Sequence, residues 1–135
     1  MCGTSVEGAS VIFDTDVIIW VMRGSKRAAA AIDQAESLEL SVVSYMELVQ
    51  GARNKSELRA TKAALSALNF QILPLTENIG HRASIYLEEY TLKSNIGVPD
   101  ALIAATAVEN GIPLCTANAK DYRSIAELEL SVFRP

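Results

Sequence analysis

Five short apolar runs, each divided from the next by a stretch with helical spacing, restrict this chain to one class of architecture. Val11-Ile12-Phe13, Leu38 to Val42, Phe70 to Leu73, Ile112 to Cys115 and Leu130 to Phe133 read as buried strands. Asp14-Thr15-Asp16 offers N-cap side chains to a helix beginning near Val17, and Arg23-Gly24-Ser25 breaks that helix. Ser25 is placed to cap a second helix through Ala28 to Ala35, and Val43 to Gly51 has the spacing of a third. Ser56 and Glu57 open another, with Leu58, Leu65 and Leu68 on one side. Thr76 caps a long helix whose apolar stripe is Ile79, Ala83, Tyr86, Leu87 and Tyr90. Ser94 to Val98 reads as a loop, and Asp100 to Asn110 as an alanine-rich helix closed by Gly111. Strands alternating with helices predict an α/β fold: a three-layer sandwich with a mainly parallel central sheet flanked by helices. Residues 1–10, small and polar, read as a flexible start, and residues 11–135 as a single domain with no repeat or linker.

Composition removes several classes. A chain that is 50% hydrophobic and 21% charged has the balance of a packed domain, not of a disordered one. No apolar run reaches the roughly 18 residues of a membrane span. Val17 to Met22 is short, and it follows Asp14 and Asp16 where a signal peptide would carry basic residues. The expected location is the cytoplasm. Cys2 and Cys115 form neither a metal-ligand spacing nor a disulfide framework, and read as one thiol in a loose segment and one in the core. His81, the sole histidine, stands beside Arg82 on the long helix and reads as a surface residue. Histidine-based ribonuclease chemistry and zinc hydrolysis are therefore not expected.

Parallel sheets place their sites beyond the carboxyl ends of strands, which directs attention to Asp14 and to the loop Thr116 to Asp121. Asp14 alone is equally a helix cap. Glu47 shares a helix face with Val43, Ser44 and Gly51, small neighbours that leave a hollow around a carboxylate. Asp100 follows Pro99 and has Ile103, Ala104 and Ala107 as helical neighbours, so its helix should be largely buried. Capping does not require that burial, and a buried carboxylate needs partners or a metal. Clustered carboxylates repel one another unless a cation neutralises them, and all-oxygen sets suit Mg²⁺ or Mn²⁺. The net charge of −4 at first argues against a nucleic-acid partner. Setting aside Asp14, Asp16, Glu47, Asp100 and Asp121 as one site leaves eleven acids against twelve Lys and Arg. Two divalent cations there would bring the formal charge to zero.

Four segments in order resemble the PIN-domain family, and within it the VapC-like toxins. They are Ile12 to Val17, Ser41 to Leu48 with Gly51, Asp100 to Ala107, and Leu114 to Tyr122, and the likeness extends from residue 11 to the end of the chain. The resemblance implies a Mg²⁺- or Mn²⁺-dependent endoribonuclease in which water attacks a phosphodiester. Its site would be built from Asp14, Glu47, Asp100 and a fourth acid, supported by Ser44 and Thr116, with Thr15 and Asp16 beside them. It also implies a homodimer and a VapB-like antitoxin whose C-terminal segment enters the active-site groove. The chain departs from the pattern at Asn118, a position often acidic in the family. Asp121 is then the favoured fourth carboxylate and Asn118 a neutral partner. Lys120, Arg123, Arg53 and Lys55, with Arg59 and Lys62, are candidate contacts for RNA phosphates.

Other readings predict different features. A degenerate PIN domain acting as a binding module would not need Asp14, Glu47 and Asp100 together. A PIN-type nuclease of RNA processing or DNA repair would be expected to carry an appended nucleic-acid-binding domain. A phospho-acceptor signalling domain would need an acceptor Asp at a mid-chain strand end and a late Lys-Pro turn, neither of which is found.

Overall fold

Val11, Ile12 and Phe13 are shut off from solvent completely, as a strand at the centre of a parallel sheet must be. In this computed structural model, which describes residues 10–135, they form β1 (Ser10–Phe13). The expectation for residues 1–10 lies outside the described residues except at Ser10, which opens that strand. The chain continues through α1 (Thr15–Met22), α2 (Lys26–Gln34), β2 (Ser37–Ser41), α3 (Val42–Gly51), α4 (Lys55–Ala67) and β3 (Gln71–Leu73). It then forms α5 (Glu77–Tyr90), α6 (Val98–Asn110), β4 (Leu114–Thr116), a single 3₁₀ turn (Ala119–Asp121) and β5 (Leu130–Val132).

The sheet order is β3-β2-β1-β4-β5, and every pairing is parallel. From β1 the chain moves outward through β2 to β3, then returns to lay β4 on the other side of β1. The strand order therefore reverses between β1 and β4, where Phe13 pairs with Cys115. Crevices at such reversals open beyond the carboxyl ends of the strands, and Asp14 and Thr116 stand at this one.

Strand alternation divides the core between two faces. Ile12 and Leu114 point to the side covered by α5 and α6, where Ile79, Tyr86, Ile103 and Ala104 are buried. Val11, Phe13 and Cys115 point to the side of α1 and α2, among Val17, Ile18 and Ile32. Side chains of this kind each contribute roughly 1.5–3 kcal/mol by leaving water. The three layers are those expected. Helix α3 contributes Val43 to one cluster and Leu48 to the other, so it spans the end of the sheet instead of lying on one face. Arg82 on α5 joins Glu109 of α6 at 2.5 Å and Glu127 at 2.7 Å, and Tyr86 also bonds Glu127. This network ties the segment after the 3₁₀ turn to the α5–α6 layer.

Several boundaries differ from expectation for local reasons. Val42 opens α3 instead of ending β2, because the Ser41 hydroxyl caps the Val43 N–H at 3.1 Å. Helix α4 is capped by Asn54, whose Oδ1 accepts from the Glu57 N–H at 2.9 Å, and not by Ser56. Helix α6 starts at Val98 behind Gly97, so Val98 belongs to the helix and not to the loop. Proline is pre-set for a first turn, which moves the start ahead of Pro99. Gly111 ends α6 in the left-handed conformation at φ 67, as expected. Cys115 is fully buried in β4 and disulfide-bonded, not an unpaired core thiol; the reading of Cys2 lies outside the described residues.

Candidate active site

Asp14 ends β1 and caps α1, its Oδ1 accepting the Thr15 N–H at 2.8 Å. That much is capping. Its Oδ2, however, accepts the Thr116 hydroxyl at 2.8 Å and the Tyr122 hydroxyl at 3.0 Å, which no cap requires. The residue is only 7% exposed, and burial followed by the nearby Asp16 charge pushes its carboxyl up to about 6. Asp16, on the first turn of α1, reaches across to the strand-β4 loop and accepts the Ala117 N–H at 3.1 Å. Its Oδ1 is buried with no hydrogen-bond partner among the described residues. Burial raises the Asp16 carboxyl too, with a contribution from the Asp100 charge.

Asp100 lies in the first turn of α6, whose Ala101, Ile103, Ala104, Ala105 and Ala107 are all sealed from water. The apolar helix is therefore buried as anticipated. The Tyr122 hydroxyl lies 3.2 Å from Asp100 Oδ1. Burial, then the charge of Asp14, and further those of Asp121 and Glu47 push Asp100 to about 6. These mutual effects place the carboxylates in one electrostatic field. Glu47 is delivered by α3, and the Thr15 hydroxyl holds its Oε1 at 2.6 Å. Ser44, one turn earlier, is fully buried and its hydroxyl has no hydrogen-bond partner among the described residues. Thr116, also fully buried, gives its proton to Asp14 and accepts the Asn118 N–H at 3.0 Å.

The loop of the last motif contains one 3₁₀ turn. Asn118 and Asp121 meet across it, the Asn118 amide donating to Asp121 Oδ2. Asp14, Asp16, Glu47, Asp100 and Asp121 thus gather from four separate parts of the chain, with Thr15, Ser44, Thr116 and Asn118 among them. Sequence reasoning missed the hydroxyl of Tyr122, which touches two of the carboxylates. The available signal was its place directly after Asp121 in an otherwise polar loop, where an aromatic ring must find cover.

The basic residues divide. Lys120 and Arg123 are exposed on and beside the 3₁₀ turn. Arg53 lines a groove of about 550 Å³ between α1, α3 and α4 that Glu47, Ile19, Met22 and Leu48 also line. It is paired with Glu57 at 3.0 Å. Lys55 is exposed at the start of α4 and does not line this groove.

A PIN-domain model matches residues 11–128. The chain belongs to the PIN-domain family. Among similar proteins, this PIN domain is 34% identical over 123 residues to Ribonuclease VapC10 of Mycobacterium tuberculosis, covering 88% of this chain and 90% of that one. It is 33% identical over 128 residues to Ribonuclease VapC of Rickettsia bellii, covering 89% and 93%. A toxin–antitoxin complex from Klebsiella pneumoniae holds a chain similar in structure, with a TM-score of 0.75 and 29% identity over 87% of this chain and 94% of that chain. VapBC-1 from nontypeable Haemophilus influenzae has the same fold, with a TM-score of 0.79 at 24% identity over 91% and 97%.

Acidity of this kind fits a hard divalent cation. The donors are all oxygens, the carboxylates are mutually repulsive, and Asp16 Oδ1 is buried without a partner. Among the described residues no three carboxylates are already arranged as a ligand set. Hydroxyls of Thr15, Thr116 and Tyr122 occupy some of their lone pairs instead.

Proposed function

We propose that this PIN domain is an endoribonuclease, the toxin of a VapBC-like toxin–antitoxin pair, and that it hydrolyses RNA phosphodiesters with Mg²⁺ or Mn²⁺. The observation that carries the reading is the convergence of Asp14, Glu47, Asp100 and Asp121 at the reversal of strand order. The names of the relatives supply the substrate class. Asp14, Glu47, Asp100 and Asp121 would hold the cation, with Asp16 against them. A divalent cation held there supplies positive charge that polarises a water and screens the phosphodiester.

The chain's own groups do the rest. Thr15 fixes Glu47, Thr116 fixes Asp14, and Asn118 fixes Asp121, so each carboxylate enters the site already oriented. Without a cation, burial and neighbouring charge raise the Asp14 and Asp100 carboxyls to about 6, and a bound cation would favour their ionised forms. In this reading Lys120 and Arg123, both exposed beside the 3₁₀ turn, would meet RNA phosphates, with Arg53 and Lys55 as further contacts. The partners that follow are an RNA substrate, a VapB-like antitoxin reaching the site, and a second copy in a homodimer. Among the described residues no helix is long and apolar enough to cross a membrane, and the proposed setting is the cytoplasm.

Purified protein tests the reading directly. RNA cleavage should require Mg²⁺ or Mn²⁺, stop in excess EDTA and fall at least about 100-fold in Asp100→Asn. Expression of the wild type alone should arrest growth and expression of Asp100→Asn should not. Cleavage that continues undiminished in EDTA would refute the metal mechanism, and equal arrest by both proteins would detach toxicity from this site.

A further inference from the structure

Tyr122 is 1% exposed, and its ring packs with Ile125, Leu128 and the buried face of α6. A phenylalanine would fill that space equally well. What tyrosine adds is one hydroxyl, and both contacts of that hydroxyl are to carboxylates: Asp14 Oδ2 at 3.0 Å and Asp100 Oδ1 at 3.2 Å. Those two residues come from the ends of different elements, β1 and α6, and Tyr122 is the side chain that links them.

We infer that Tyr122 is a positioning residue of the cation site, its hydroxyl holding one oxygen of Asp14 and one of Asp100 so that the other oxygen of each faces the cation. Asp14 Oδ2 is fully engaged by two hydroxyls, whereas Oδ1 accepts only the Thr15 N–H and keeps a free lone pair. Asp100 Oδ1 faces Tyr122, and its Oδ2 accepts no hydrogen bond among the described residues. The hydroxyl carries a single proton, shared between two acceptors, so it restrains both carboxylates without satisfying either completely. Partners that orient ligating carboxylates in this way set metal affinity, and their removal costs roughly 10- to 100-fold. Without the hydroxyl, Asp14 keeps Thr116, but Asp100 loses the only side-chain hydrogen bond it makes among the described residues. Asp100 should therefore account for most of the loss.

This inference rests on the metal-dependent reading above, and one titration separates the two. Mn²⁺ binding is measured by calorimetry or electron paramagnetic resonance on wild type and Tyr122→Phe, with circular dichroism to check the fold. The expected result is a dissociation constant raised roughly 10-fold or more in Tyr122→Phe. Cleavage lost at low metal should return as Mn²⁺ is raised, which a general packing defect would not produce. Unchanged or tighter Mn²⁺ binding by folded Tyr122→Phe overturns the assignment alone. A wild type that binds no Mn²⁺ overturns both the assignment and the metal reading. Should Tyr122→Phe not fold, 3-fluorotyrosine placed at residue 122 keeps the hydroxyl and reports by ¹⁹F resonance. Its signal should move with Mg²⁺ occupancy, and a signal that stays fixed while Mg²⁺ binds also overturns the assignment.

Discussion

Metal-free protein should lose stability as the pH rises toward neutrality, contrary to the behaviour of most acidic domains. Asp14 is buried, and its carboxyl is raised from 3.8 to about 6. Below 3.8 the carboxyl is protonated in both folded and unfolded chains, and its ionisation costs nothing. Between 3.8 and about 6 the unfolded chain releases its proton first, so the unfolded state binds fewer protons and folding weakens as pH rises. Above about 6 the cost is complete. At ~1.4 kcal/mol per pH unit, the shift amounts to about 3 kcal/mol, of which about 2 kcal/mol should appear between pH 4.5 and pH 7. Asp100 acts in the same direction. Part of the Asp100 shift comes from the Asp14 charge, however, so their contributions do not simply add.

Two surface carboxyls act in the opposite sense but outside this window. Glu57 and Glu127 are lowered by bonds to Arg53 and to Tyr86 and Arg82, so their stabilising effect is lost only as pH falls below the usual glutamate range. Urea unfolding in EDTA at closely spaced pH values from 4.5 to 7.5 measures the effect, with Asp14→Asn as the comparison. Wild type should fall by about 2 kcal/mol across the window, and Asp14→Asn should fall by clearly less. Saturating Mg²⁺ should restore the neutral-pH loss, since a ligand of the folded state alone stabilises it. A metal-free wild type whose stability is level or rises from pH 4.5 to pH 7 would refute the argument. So would an Asp14→Asn profile parallel to that of the wild type.

Asp121→Asn should weaken Mg²⁺ binding by roughly 10-fold or more, and Asn118→Ala by much less, because the Asn118 amide only holds Asp121 Oδ2. Metal titration of the two folded variants gives the ranking, and the reverse order would make Asn118 the principal ligand. Neutralising Lys120 and Arg123 together should lower the slope of log affinity for single-stranded RNA against log salt by about 1.4, the effect of two lost phosphate contacts. An unchanged slope in a filter-binding series would remove both residues from the RNA path.

The layers and the positions of the acids were legible because burial leaves a pattern in the chain. A central parallel strand has to be apolar on both faces, and Val11-Ile12-Phe13 is. A helix covered all round has to be small and apolar, and Ala101 to Ala107 is. Asp100 stood out because its charge interrupts that pattern. Boundaries were less legible, because caps are settled by single hydrogen bonds. Asn54 and Ser56 are both good cap residues, and only the bond from the Glu57 N–H chooses between them. The 3₁₀ turn within the Thr116–Asp121 loop left no signal of its own, because Asn118 and Asp121 lie on one face in either kind of turn and their spacing does not separate the two.

Tyr122 escaped notice because its two roles produce a single signal. An aromatic residue after a polar loop is explained by the need to cover the core between α6 and β4, and Tyr122 does cover it. Its hydroxyl is a long-range feature, lying beside Asp14 and Asp100 only because β1, α6 and the segment after β4 converge at the reversal of strand order. The same convergence explains why Glu47, Asp14, Asp16 and Asp100 are each held by a hydroxyl or amide from another element, whereas Asp121 is held within its own turn by Asn118. Thr15 on α1 holds Glu47 on α3, Thr116 on β4 holds Asp14 just after β1, and Ala117 after β4 holds Asp16 on α1. Each such bond restrains a charge that its neighbours repel, so a shift of one element disturbs carboxylates on another. The acidic site is therefore a property of the packed sheet end as a whole. Conservative changes at Thr15, Thr116 and Tyr122 should alter it without touching a single carboxylate.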